Sequence, residues 1–306
     1  MMLQSANLNK PAGRLKLAVG IATVGRREVL SETVKLLASQ NRLPDQFVVC
    51  PVNQHDIDLE CTKSFPTPVE VLFGPAGLPA QRNVILAACS AADVVVFFDD
   101  DFFAEANYLA EVEKAFLTRP GMVALTGTPI ADGIKGPGIG AEEGLEILRK
   151  AGGARAGEGM IPVAGAYGCN MAFLLKPITA NAIQFDENLP LYGWQEDTDF
   201  SRRLARYGSI ARSERLLGVH LGTKGGRTSG VRLGYSQVAN LIYLVRKGSV
   251  SMGYAAKMIS KNLIANHSKL LAPEPWIDRP GRCKGNWIAI LDFVRGRDDP
   301  RRILTL

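Results

Sequence analysis

The sequence predicts an α/β fold in which a mostly parallel sheet is flanked by helices and followed by a C-terminal helical extension. Three observations predict it. Short β-rich runs alternate with helical patterns through the first half of the chain. These runs are apolar without a break, the habit of parallel strands that are covered on both faces. Beyond Tyr235 the pattern is helical to the end.

The elements follow in order. Leu15–Ala22 (LKLAVGIA) reads as a buried strand. Arg27–Gln40 places Leu30, Val34, Leu37 and Ala38 at helical spacing. Gln46–Val52 and Val69–Phe73 are strands, and Ala80–Ser90 is helical. Asp93–Phe98 is a continuous apolar strand that runs into Asp99-Asp100-Asp101. Tyr108–Leu117 is a helix and Met122–Gly127 a strand. Pro129–Gly159 is Gly-rich and reads as a mobile excursion around a short helix at Glu142–Lys150. Val163–Leu175 holds one or two strands. Glu196–Tyr207 is a helix with Phe200, Leu204 and Tyr207 on one face and Gly208 as its stop. Leu216–His220 is a short strand that opens a Gly-, Ser- and Lys/Arg-rich loop. The expected organisation is a flexible tail over 1–13, two halves of one domain over 14–127 and 128–235, and a basic helical extension over 236–306.

Composition narrows the class. The chain has 306 residues, 46% hydrophobic and 22% charged, which excludes disorder, collagen-like repeats and a coiled coil. Lys+Arg exceed Asp+Glu by 36 to 30, a net charge of +6. From Ile242 to Leu306 there are 12 Lys/Arg against 5 Asp/Glu, so this segment holds +7 and the rest −1. The C-terminal fifth therefore reads either as a solvated basic tail or as a surface that meets phosphates or an anionic membrane. Five cysteines without CxxC spacing give neither a zinc site nor a disulfide framework. With no spanning segment in view, a cytoplasmic location is expected, with peripheral contact at the inner membrane face. No nucleic-acid motif accompanies the basic tail.

Asp99-Asp100-Asp101 is the first group with chemistry. Adjacent carboxylates repel, and a divalent cation relieves this. Mg²⁺ and Mn²⁺ take oxygen ligands, and ligands of open α/β sheets sit beyond the carboxyl ends of the strands. Alternation along an extended segment turns Asp99 and Asp101 toward one ion and Asp100 away. Glu196-Asp197 opens a helix, whose dipole favours a carboxylate and keeps it ionised for general-base work. N-terminal charge complementarity explains the pair equally well. Trp194 offers a flat face for a sugar ring or for the core. His220 precedes LGTKGGRTSG, where Lys224 and Arg227 suit phosphates. Arg82, at a helix start after GPAGLPAQ, suits an anion.

These motifs resemble the inverting family-2 glycosyltransferases of the GT-A fold, a Rossmann-type sheet. The resemblance covers roughly Leu15–Gly248. It rests on IATVGR, GLPAQRN, FFDDD, GCNMAF, FDENLPLYGWQEDTDFSRRL and VH before the Gly-rich loop, in that order. It implies a divalent metal, Mn²⁺ or Mg²⁺, on Asp99 and Asp101, completed by His220. It implies Asp197 as catalytic base. It places Asp100 near the donor ribose or sugar, and Thr23 and Arg82 in the nucleotide pocket. Trp194 and Glu196 fall where the acceptor is held. The reaction implied moves a sugar, with inversion, from a UDP- or GDP-sugar to a saccharide or lipid-linked saccharide, as in polysaccharide biosynthesis. Lys224 and Arg227 would assist the leaving diphosphate. One departure stands out. The family's second strand ends in an acid that contacts the nucleotide base, whereas this chain reads VVCPVNQHDID, with Asp56 the nearest acid. The rival readings are a sugar nucleotidyltransferase and a non-catalytic nucleotide-sugar-binding module. The first lacks its Gly-rich basic loop after the first strand. The second would be expected to have lost the Asp-x-Asp or the base.

Overall fold

The computed structural model describes residues 13–151, 157, 159–226 and 228–306. The expected tail lies outside the described residues except for Gly13, and so does Arg227. The strands are β1 (Leu17–Thr23), β2 (Gln46–Pro51), β3 (Val69–Val71), β4 (Val94–Asp99) and β5 (Phe102–Ala104). They continue with β6 (Met122–Asp132), β7 (Met160–Pro162), β8 (Asn170–Leu174) and β9 (Ser209–His220). One sheet holds them in the order β3-β2-β1-β4-β8-β6-β9-β5, with β7 on β9. The block β3-β2-β1-β4 is parallel throughout. Beyond it the sheet is mixed, because β8 runs antiparallel to both β4 and β6 while β9 runs parallel to β6.

The period of two along β1 and β4 explains their unbroken apolar runs. Leu17, Val19 and Ile21 with Val94, Val96 and Phe98 enter one core layer, with Leu30 and Val34. Ala18, Val95 and Phe97 enter the opposite layer, with Ile85, Phe173 and Phe200. Each strand is therefore buried on both faces, and helices supply both covers. These are α1 (Arg27–Leu37), α2 (Leu59–Lys63), α3 (Leu78–Ala88), α4 (Tyr108–Thr118), α5 (Ala141–Ala151), α6 (Leu175–Ala180) and α7 (Glu196–Leu204).

Within the segment expected to be a mobile excursion, residues 129–151 are more ordered than their glycines suggest. Strand β6 extends to Asp132 because Thr128–Asp132 pairs with Leu217–His220 across a bulged register. Helix α7 stops at Leu204, and Tyr207 lies beyond it, exposed rather than on its buried face.

Three further helices follow: α8 (Gly230–Lys247), α9 (Met252–Ser268) and α10 (Arg279–Val294). Helices α8 and α10 cross at Gly234 and Gly285, where an added Cβ would strike the backbone of Arg282 and Val231. Helix α8 is tied to the sheet domain by polar anchors. Asn240 donates to the Trp194 carbonyl (2.9 Å) and Tyr243 to Asp186 (2.8 Å). Lys247 pairs with Asp186 and Asp199 at 2.5 and 2.8 Å. Among the described residues no helix is long and apolar enough to cross a membrane.

Candidate active site

Strand β4 ends at Asp99, and Asp100 and Asp101 form a turn into β5 rather than an extended run. The turn still separates the side chains. Asp99, Asp101 and His220 each offer a ligand atom, all within 4.8 Å of one another. Asp100 points elsewhere, accepting from the Thr23 hydroxyl (2.7 Å) and from Arg26 Nη1 (2.9 Å).

His220 is brought in by the antiparallel pairing of β9 with β5, which sets Phe102 opposite it. Its Nδ1 lies 2.9 Å from Asp132 Oδ1, leaving Nε2 toward Asp101 Oδ1 at 3.5 Å. Tyr167 donates to the other oxygen of Asp132 at 2.8 Å. A carboxylate on one imidazole nitrogen that orients the other is the usual support of a metal-binding histidine. Asp101 Oδ2 accepts from the Thr223 N–H at 2.7 Å, whereas Oδ1 is buried with no hydrogen-bond partner. A buried carboxylate oxygen left unmatched costs free energy. An ion between Asp99, Asp101 and His220 would satisfy it, so the donor set of two carboxylates and one imidazole fits Mn²⁺ or Mg²⁺.

Burial pushes Asp99 up, against the pull of Arg82. Burial also lifts Asp100, to about 7, against Arg26. Asp101 is held at about 2, because His220, Arg26 and the Thr223 N–H outweigh its burial. His220 is likewise buried, but Asp101 and Asp132 raise its pKa.

Arg82 stands behind the metal-facing turn. Its guanidinium is fully buried, between the rings of Phe97 and Phe185. It donates to Asp99 (3.0 Å), to the Gly168 carbonyl (2.9 Å) and to Glu196. All three of these contacts are internal, and they brace the site. Glu196 pairs with it through one oxygen, while the other is buried and unmatched. Burial lifts Glu196 to about 8.

Asp197 stands in the first turn of α7. Its Oδ1 accepts from the Thr198 N–H (2.7 Å) and its Oδ2 from the Gly168 N–H (3.1 Å). A Cβ at Gly168 would come to 3.2 Å from Oδ2, so glycine permits this approach. Burial raises the Asp197 pKa against these donors. The entry to α7 is tightly bent: Leu191 (φ 58), Gly193 (φ 62) and Gln195 (φ 73) are all left-handed. Two of these are not glycine, and such conformations persist only where the surroundings enforce them. Tyr254 donates to Gln195 at 2.7 Å, and the Leu191 carbonyl accepts from the Leu78 N–H at 2.7 Å. Trp194 is half-buried beside Tyr192, its indole N–H buried without a partner.

Lys224 points inward, donating to the carbonyls of Gly133 and Ile134, both at 3.0 Å, so it pins the Gly-rich loop. Asp56 is buried, accepting from the N–H groups of Gly25 (2.7 Å) and Asn53 (2.9 Å), and serves the backbone here. Sequence reasoning missed Arg26, Asp132 and Tyr167. Arg26 also donates to the carbonyls of Gly225 (2.9 Å) and Thr223 (3.2 Å), joining the β1 exit to the loop after β9. It ends the IATVGR motif, which was the one available signal. Asp132 and Tyr167 carry no motif; the β6–β9 pairing reveals the first, and the packing of the loop before β8 against Thr126 and Asp132 reveals the second. They also line a cavity of about 350 Å³ with Thr126, Val163 and Arg212.

No family model matches the chain, and no curated protein does. Solved structures do. TarS 1-349 from S. aureus aligns over 94% of this chain and 82% of its own, with TM-score 0.57 and 16% identity. The fold is that of the GT-A glycosyltransferases. The mannosyltransferase PcManGT from Pyrobaculum calidifontis, solved with GDP-Man and Mn²⁺, aligns over 95% and 92%, with TM-score 0.56 and 12% identity. GalNAc-T7, solved with UDP, GalNAc and Mn²⁺, aligns over 96% of this chain and 57% of its own, with TM-score 0.57 and 12% identity.

Proposed function

We propose that the protein is a metal-dependent, inverting glycosyltransferase that moves a sugar from a nucleotide diphosphate to an acceptor hydroxyl. The observation that carries this reading is the convergence of Asp99, Asp101 and His220 around an unmatched buried oxygen, with Asp197 held at the end of a braced helix. The GT-A fold, whose solved members include complexes with GDP-Man, UDP and Mn²⁺, supports it.

A Mn²⁺ or Mg²⁺ on Asp99, Asp101 and His220 would offset the charge that grows on the departing diphosphate. The chain's own groups do the rest. Asp197, ionised, takes the proton of the acceptor hydroxyl at a carboxylate oxygen as that hydroxyl attacks the anomeric carbon. Its raised pKa makes it a stronger base than an ordinary aspartate. Arg82 and Gly168 fix the relation between this base and Asp99. Thr23, Asp100 and Arg26 form the wall beside the donor. The Gly-rich loop, pinned by Lys224, closes that side, with Arg227 beyond the described residues. Trp194 and Glu196 receive the acceptor, a saccharide or lipid-linked saccharide of polysaccharide biosynthesis.

Calorimetry with UDP, GDP, dTDP and CDP, with and without Mn²⁺, tests this reading against Asp101→Ala. Metal-dependent binding of one nucleotide, lost in the variant, supports it. Binding of none, or binding indifferent to metal, overturns it in favour of a non-catalytic module. Release of pyrophosphate instead of nucleoside diphosphate would identify a nucleotidyltransferase.

A further inference from the structure

Helices α9 and α10 present a solvent-facing surface in which large apolar side chains alternate with cations. On α10, Trp287, Leu291 and Val294 recur at helical spacing and are 55, 47 and 76% exposed. On α9, Ile264 is 68% exposed, and Leu271, just past the helix, is exposed completely. The two stripes meet where the Trp287 indole donates to His267 Nε2 at 3.0 Å. In the fold the apolar residues split, with Ala255 and Ile259 inward and this set outward.

Charge identifies what the surface meets. Every acid beyond Ile242 is engaged within the protein. Glu274 is taken by Arg279 and Lys269, and Asp278 caps α10. Asp292 accepts from Tyr235 and Arg302. Asp298 pairs with Arg246, and Asp299 with Arg301. The cations Lys257, Lys261, Lys284, Arg295 and Arg297 are exposed, and none pairs with a carboxylate among the described residues. Lys257, Lys261 and Ile264 share one stripe of α9, as Lys284, Trp287 and Leu291 share one of α10. An isologous second copy would bring these cations together, which opposes self-association. A bilayer with anionic headgroups answers both features.

We propose that the α9–α10 face docks on an anionic phospholipid membrane, its apolar side chains entering the headgroup region and its cations meeting lipid phosphates. Helix α9 starts at the candidate site, where Tyr254 holds Gln195, so docking places the acceptor side close to the lipid. Docking needs neither donor nor metal, and it stands or falls separately from the transfer reaction.

The test is co-sedimentation of the full chain with vesicles of phosphatidylcholine alone and of phosphatidylcholine mixed with phosphatidylglycerol. Binding to the mixed vesicles, released by high salt, is expected. The triple variant Lys257→Gln/Lys261→Gln/Lys284→Gln should weaken it about a hundred-fold, at roughly five-fold per charge. Trp287→Ser/Leu291→Ser should also weaken it, with the circular dichroism of both variants unchanged. Equal binding to both vesicle types, or undiminished binding by both variants, would overturn the proposal. So would dimerisation of the wild type that Trp287→Ser abolishes, since a second copy would then own the face.

Discussion

Arg82 and Glu196 form a buried ion pair between residues 114 apart in the chain. The same guanidinium reaches Asp99 at 3.0 Å, so one cation serves two carboxylates on opposite sides of the site. Arg82→Met removes it, leaving Glu196 without its counter-charge and Asp99 with only His220 and Arg26. The unfolding free energy should drop by about 3–5 kcal/mol, read by urea denaturation. An unchanged midpoint would show that the pair holds nothing together.

Asp101 and Asp100 are neighbours with opposite expected phenotypes. Asp101→Asn takes an oxygen from the candidate metal set and should abolish measurable Mn²⁺ binding in a titration followed by electron paramagnetic resonance. Asp100→Asn should leave that titration nearly unchanged, because its partners are Thr23 and Arg26.

Asp132 touches His220 and is not one of the three converging ligands. Asp132→Asn should weaken Mn²⁺ binding about 10–100-fold, the usual cost of losing the group that orients a ligating histidine. Tyr167→Phe, which leaves Asp132 in place, should do so less. Equal affinity in Asp132→Asn and wild type would rule out the orienting role.

Asp197→Asn should lower kcat by about 10²–10⁴-fold with little change in nucleotide affinity. The base works only when ionised, so activity falls as pH drops through its pKa. Burial raises that pKa. The acid limb of the rate profile should therefore lie above the ordinary aspartate value of about 3.9. A limb at or below that value would show that Asp197 is not the base.

Asp186 tests the anchoring of α8. Although burial opposes its charge, Lys247, Tyr243 and the Asn188 N–H hold its pKa below the usual range. A depressed carboxylate adds stability in full above its unfolded pKa of about 3.9, and loses it as pH falls through the folded value. Lys247→Met should cost about 2–3 kcal/mol near neutrality. Its stability should also decline less than wild type's on acidification below pH ~4. Parallel pH curves for the two proteins would exclude the linkage.

Much of the fold was legible in the sequence because it depends on local pattern. The apolar runs of β1, β2 and β4 needed only their period and length, and the carboxylates after Phe98 marked a strand's end. Short elements such as α2, β5 and β7 were missed, since three to five residues carry too little periodicity. The extension of β6 was missed because the signal for it lies in β9, some ninety residues away.

Sequence alone carried the order of the motifs, the basic C-terminal excess, and the candidate set Asp99, Asp101, His220 and Asp197. Only the tertiary structure decided how their neighbours are used. It turned Arg82 inward as a brace, directed Lys224 to backbone carbonyls, and set Asp132 and Tyr167 behind His220. It also chose which apolar side chains of α9 and α10 remain in water. The physical reason is the same in each case. Residue type and spacing fix what a side chain can do, whereas its partner is fixed by sheet pairing and helix packing between segments far apart in the chain.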